Sequence, residues 1–130
     1  MAVTRGLAAT SVFIARESGR RLDEDALPEE LGVSVVTIGE LRAGVLVAAD
    51  PRTRDQRLAT LQEALRTEPI PVDESVARAW ARLRVELRDA GLRLPVNDSW
   101  IAATAIALDV PVVTQDDDYR GVPSLEIIRV

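Results

Sequence analysis

Cysteine, histidine and lysine are all missing from this chain of 130 residues. Without cysteine there are no disulfides and no thiolate metal sites. Without histidine there is no imidazole base, no catalytic triad and no histidine-ligated zinc. The chemistry left is that of carboxylates and of metals that take hard oxygen ligands. Because lysine is absent, all 16 basic residues are arginines. A base-composition bias of the source accounts for that most simply, although arginine also suits phosphate and carboxylate recognition better than lysine does. No apolar run is long enough to span a bilayer, and Met1 to Gly6 lacks the apolar core of a signal peptide, so no membrane association and a cytoplasmic location are expected. The net charge of -5 argues against sequence-blind nucleic-acid binding over the whole surface but leaves room for a local basic patch. What is present, 47% hydrophobic and 28% charged residues, describes an ordinary globular protein, and the length fits one domain over residues 1–130.

The most informative stretch runs from Leu94 to Tyr119. Pro95, Asn97 and Asp98 open an alanine-rich helix expected from about Asp98 to Asp109. A strand follows over Val110 to Thr114 and runs into the carboxylates Asp116, Asp117 and Asp118. A helix of this length advances roughly 16 Å, and the strand returns over roughly the same distance. Asp98 and Asp116 are thereby brought to one edge of the molecule.

The rest of the chain alternates strands with helices. Strands are expected at Leu7 to Ala9, at Val33, Val35 and Val36, briefly at Ile70-Pro71-Val72, and at Leu125 to Ile128. Helices are expected over Val12 to Glu17, with Thr10 and Ser11 as caps, over Thr37 to Ala49, and over Arg52 to Thr67 after the Asp50-Pro51 break. A further helix follows Asp73, carries Val76, Trp80, Leu83 and Leu87 as its buried stripe, and stops at Gly91. Asp23 to Glu30 reads as a polar turn. This alternation predicts an α/β fold with a parallel sheet of about four to five strands and helices on both faces. In such sheets ligands bind beyond the carboxyl ends of the strands.

Each acid at that edge has an ordinary structural explanation. Glu40 fits a capping box with Thr37, Asn97 or Asp98 could cap the alanine-rich helix, and Asp116 to Asp118 could be a simple acidic turn. Their coincidence at one edge tips the balance. Carboxylates gathered there repel one another unless a cation neutralises them. Mg²⁺ or Mn²⁺ suits an all-oxygen site and activates water for phosphodiester hydrolysis without histidine.

Over essentially its whole length the chain resembles the PIN-domain ribonucleases, specifically the toxins of VapBC-type toxin–antitoxin pairs. Four segments carry the resemblance. They are Leu7 to Ala15, Thr37 to Gly44, Asn97 to Ala105, and Val112 to Tyr119. The resemblance implies an active site of Glu40, Asp98 and Asp116, with Asp118 close enough to contribute. It implies Mg²⁺ or Mn²⁺ held by Asp98 and Asp116, and Ser11 and Thr114 as small hydroxyl residues that orient the carboxylates. It further implies single-stranded RNA as substrate, a cognate VapB-like antitoxin as partner, and a homodimer. One position departs from the pattern: Ala9 stands where the family places its first metal-binding aspartate. Either this is a naturally degenerate member or an aspartate has been replaced to silence a toxic enzyme. The intact pattern on both sides of Ala9 favours the second.

Arg16, Arg20, Arg21 and Arg42 are expected near the acidic edge, where they are candidates for RNA or antitoxin contact. Trp80 and Trp100 could stack on bases, but their apolar helical settings favour core packing. Two other readings compete with this one. A receiver domain also gathers aspartates and Mg²⁺ at strand ends, but it needs a lysine, and this chain has none. A PIN-like pseudoenzyme that serves only as a binding module is the other alternative, and Ala9 is its best support.

Overall fold

The computed structural model describes residues 4–130, so the reading of Met1 to Gly6 lies partly outside the described residues. The strands are β1 (Arg5–Ala8), β2 (Glu30–Val33), β3 (Val112–Thr114) and β4 (Ile127–Arg129). The helices are α1 (Thr10–Glu17), α2 (Val35–Leu46), α3 (Pro51–Ala64), α4 (Glu74–Asp89) and α5 (Val96–Leu108). Among the described residues the strands form one parallel sheet in the order β2-β1-β3-β4. The α/β expectation and the strand count both hold.

Alternation along the strands divides the core between two faces. Leu7 and Val112 point to one face and pack with Leu83 and Leu87 of α4 and with Ile101, Ala102 and Ala105 of α5. Ala8 points to the other, with Phe13 of α1, Ile38 and Leu41 of α2 and Leu61 of α3. β1 is crowded on both sides. A Cβ added at Gly6 would stand 2.8 Å from Val113 Cγ2 and 3.0 Å from Pro28, so glycine is what lets the strand close against its neighbours.

Several boundaries differ from the sequence reading, each for a local reason. β2 ends at Val33, and Val35 and Val36 open α2 instead of extending the strand. Ser34 caps that helix, its Oγ accepting from the Val36 N–H at 3.0 Å, and one well-placed cap outweighs the β-propensity of two valines. Thr37 and Glu40 therefore lie inside the helix, and the capping-box reading of Glu40 is overturned. α5 begins at Val96 with Pro95 as its cap, so neither Asn97 nor Asp98 caps it. The Ile70 to Val72 segment contributes only an isolated bridge between Ser34 and Ile70. β3 and β4 are each three residues long, shorter than expected. α1 starts at Thr10, with Ala9 at its N-cap and no side-chain bond to the free amides.

Because all strands are parallel, Ala8, Val33 and Thr114 end at one edge. The first turns of α1 and α2 begin there. α5 runs back toward the start of β3, so its N-terminus, which carries Asp98, lies at the same edge.

Candidate active site

A cleft of about 440 Å³ opens at this edge, and Glu40, Asp98, Asp116 and Asp118 all line it. Ala9 lies in its wall, 2% exposed, at the junction of β1 and α1. No arginine is among the lining residues.

Each carboxylate is held by the local fold. Glu40, in the second turn of α2, accepts a hydrogen bond from the Thr10 hydroxyl at 2.7 Å, and Thr10 in turn lies 3.0 Å from the Thr37 hydroxyl. Since Thr10 has given its only proton to Glu40, Thr37 donates in the second bond. Asp116 accepts from Thr114 Oγ1 at 3.2 Å, and Thr114 is 3.2 Å from Ser11 Oγ. Ser11 also accepts from the Gln115 N–H at 3.1 Å, which pins the chain as it leaves β3. The Asp118 N–H donates to Asp116 at 3.1 Å. Of the three consecutive aspartates, Asp117 turns away into an ion pair with Arg129 of β4.

Asp98 lies in the first turn of α5 and accepts from the Tyr119 hydroxyl at 3.3 Å. Its pKa is raised to about 6, first by burial and then by the facing charges of Asp118, Glu40 and Asp116; the Tyr119 bond opposes the rise. Tyr119 itself is 1% exposed. Burial, followed by the charge of Asp98, holds its phenol far above the ordinary range, so it remains a proton donor to the carboxylate. Among the described residues this is a negative site without an internal counter-charge.

Thr10, Thr37 and Tyr119 took no part in the site as read from sequence. Thr10 and Thr37 looked like capping residues, and nothing local tied Tyr119 to Asp98. Conversely, Arg16, Arg20 and Arg42 do not line the cleft. Arg16 is 3.9 Å from Glu24 and borders a separate groove between α1 and α3. Arg20 and Arg42 are exposed. The edge argument placed their backbones near the acids but could not tell which way the helices turn the side chains.

An all-oxygen cluster with a raised aspartate pKa fits a hard divalent cation. Among the described residues no three acidic side chains already stand close enough to enclose one ion. The alanine methyl at position 9 supplies no ligand.

The sheet order, with acids just past β3, in the second turn of α2 and in the first turn of α5, defines an α/β domain with an acidic cleft at its strand ends. A family model described as PIN domain matches residues 9–125, and the chain belongs to that family. It is 53% identical over 128 residues to Ribonuclease VapC5 of Mycobacterium tuberculosis, covering 96% of this chain and 95% of the relative. Against Ribonuclease VapC4 of the same organism it is 52% identical, with both chains fully covered. The crystal structure of VapBC-5, a toxin–antitoxin system of M. tuberculosis, superposes with a TM-score of 0.89 at 49% identity, over 98% of this chain and 99% of that one. VapBC2 from Rickettsia felis, solved bound to a promoter DNA fragment, shares the fold at a TM-score of 0.82 and 22% identity, covering 96% of this chain and 98% of that one.

Proposed function

We infer that this chain is a VapC-type endoribonuclease toxin whose cleft hydrolyses RNA phosphodiester bonds with Mg²⁺ or Mn²⁺. The observation that carries the reading is the convergence of four carboxylates from α2, α5 and the β3 exit into one cleft with no cation facing them. Asp98 and Asp116 are the residues to hold the metal, with Glu40 and Asp118 beside them. When bound, such an ion neutralises developing phosphoryl charge and lowers the pKa of an attacking water. The chain's own contribution is positioning. Thr10 fixes Glu40, Thr114 backed by Ser11 fixes Asp116, and Tyr119 fixes Asp98 while remaining protonated. Glu40 and Asp118, which line the cleft and pair with no arginine among the described residues, are placed to take a proton from water.

Ala9 removes one carboxylate from this set. We read the chain as impaired at that point, with the fold retained. Ala9→Asp should restore cation-dependent cleavage of cellular RNA by about a thousandfold over the chain as it stands, and EDTA should abolish it. A revertant that is folded, binds metal and cleaves no RNA would sink the enzyme reading. The domain would then act as a binding module, which is the alternative that Ala9 favours.

The partner is a small VapB-like antitoxin. The groove between α1 and α3, lined by Phe13, Arg16, Ala59 and Thr60, suits an amphipathic segment. Co-expression and gel filtration test this. A cognate antitoxin that elutes apart from the chain at micromolar concentration would refute it, and the same column reads the homodimer that the family resemblance implies. Among the described residues no helix is long and apolar enough to cross a membrane.

A further inference from the structure

The cleft poses an electrostatic problem for its substrate. RNA is a polyanion, and the cleft wall offers four carboxylates and no arginine. A metal offsets charge only at the scissile phosphate, so the flanking phosphates need cations elsewhere.

A second groove, about 550 Å³, lies between α4 and α5 and meets the cleft at Val96, which lines both. Its wall carries Arg84, Arg88 and Arg93 and no acidic residue. Arg88 is engaged with Asp89, whereas Arg84 and Arg93 form no ion pair among the described residues. The same wall holds the chain's two tryptophans. Their rings stack with centroids 4.2 Å apart and planes 1° from parallel. Both are only partly buried, so the expectation that they are core residues is corrected here. Trp80 donates its Nε1–H to Ser99 Oγ at 2.9 Å, and Ser99 donates to the Val96 carbonyl at 2.5 Å, which fixes the ring before any ligand arrives. The Arg84 guanidinium lies 4.8 Å from the centre of the Trp80 ring. A 4.2 Å stack has no room for it between the rings, so it covers the opposite face. Trp80 is thus covered on both sides, and Trp100 is left with one face that has no aromatic or cationic partner among the described residues.

We propose that this groove is a binding subsite for the single-stranded RNA that flanks the scissile bond: a base stacks on Trp100, and neighbouring phosphates pair with Arg84 and Arg93. Preset aromatic faces beside arginines are the sequence-tolerant means of holding unpaired nucleotides. Continuity through Val96 and α5 places the subsite next to Asp98, so a strand gripped there is delivered to the cleft. The proposal rests on RNA being the substrate. A second copy of this chain is the competing occupant, and the charge argues against it, because the groove would meet an identical arginine-bearing face across a two-fold axis.

The chain as it stands is well suited to the test, since it should bind RNA without consuming it. The full chain is titrated with a single-stranded RNA of about twelve nucleotides, read by anisotropy and by tryptophan emission, which is excited selectively over Tyr119 and comes from Trp80 and Trp100. The expected result is quenched emission on binding, and an affinity about tenfold weaker in Trp100→Leu. Arg84→Gln and Arg93→Gln, both at exposed positions, should each lower the salt dependence of binding by about 0.7 in log–log slope. Binding seen by anisotropy with unchanged emission, or parental affinity in both Trp100→Leu and Arg93→Gln, overturns the subsite. So does a dimer that Arg93→Gln converts to monomer in sedimentation, which would make the groove a contact between copies. An Ala9→Asp protein that cleaves RNA with KM indifferent to these substitutions removes the subsite alone. If that protein neither binds nor cleaves RNA, the ribonuclease reading falls and the subsite with it.

Discussion

The two concavities on either side of Val96 are built on opposite plans. The cleft gathers carboxylates from three elements and gives three of them a hydroxyl or phenol donor, yet no cation. The groove gathers arginines and stacked indoles from α4, α5 and the segment between them, and no acid. Like charges drawn together under partial burial are costly, and the raised pKa of Asp98 records that cost. Exposed arginines there cost little, because each keeps its water and the Arg84 guanidinium also gains the Trp80 ring. The cleft is therefore stored electrostatic strain awaiting a cation, whereas the groove is a relaxed surface awaiting an anion.

That contrast can be broken by substitution, beginning with the chemistry. In the Ala9→Asp background, Asp98→Asn keeps the side chain's shape and removes its charge. RNA cleavage should fall by about a thousandfold while the circular-dichroism melt stays cooperative. A smaller loss is expected from reversing the groove. Arg84→Glu with Arg93→Glu should raise KM for single-stranded RNA by about a hundredfold and leave kcat nearly unchanged, because the reversal repels phosphate without touching the carboxylates. Smaller again is Thr10→Val, which is nearly isosteric and deletes the donor to Glu40. A charge-assisted bond of this kind corresponds to about tenfold in kcat, with KM held.

The smallest effect sharpens the idea of stored strain. Asp98 has a folded pKa of about 6 against an ordinary value of 3.8. Between those values the folded state binds the proton and the unfolded state does not, so stability falls as pH rises through the window. In EDTA the melting temperature should accordingly decline from pH 4 to pH 6. Asp98→Asn should remove part of that decline, on the order of 1 kcal/mol once solvent screening of a half-exposed group is allowed for. Mg²⁺ should offset the decline in the parent more than in the variant. Equal slopes for parent and variant in EDTA would show that Asp98 is not strained.

Local pattern carried much of the fold. The helix starts expected at Asp50-Pro51 and after Asp73 hold, and both aspartates cap them, accepting from the Thr53 and Val76 N–H groups. The alternation of strands and helices was enough to place the carboxyl ends of the strands together. It failed where two local signals competed, as at Ser34-Val35-Val36, where a side-chain cap won over β-branching. It failed again for the tryptophans, because helical periodicity reports which residues share a face but not whether that face is covered.

The site divides in the same way. That Glu40, Asp98 and Asp116 share one edge was legible from residue types and spacing, because strand and helix lengths return them there, whereas the departure at Ala9 was legible only through the family resemblance. Which hydroxyl serves which acid was not legible. Thr10 reaches Glu40 across 30 positions, Ser11 lies 103 positions from Thr114, and Tyr119 bonds Asp98 from 21 positions away. A bond within one turn of helix is set by local geometry, so the chain's own order determines it. Bonds between separate elements depend on how each helix is rotated on the sheet, and the packing of Leu7, Ile101 and Val112 on one face and of Phe13, Ile38 and Leu61 on the other decides that. The same packing turned Asp117 out to Arg129, kept Asp116 and Asp118 in the cleft, and laid Trp80 against Trp100.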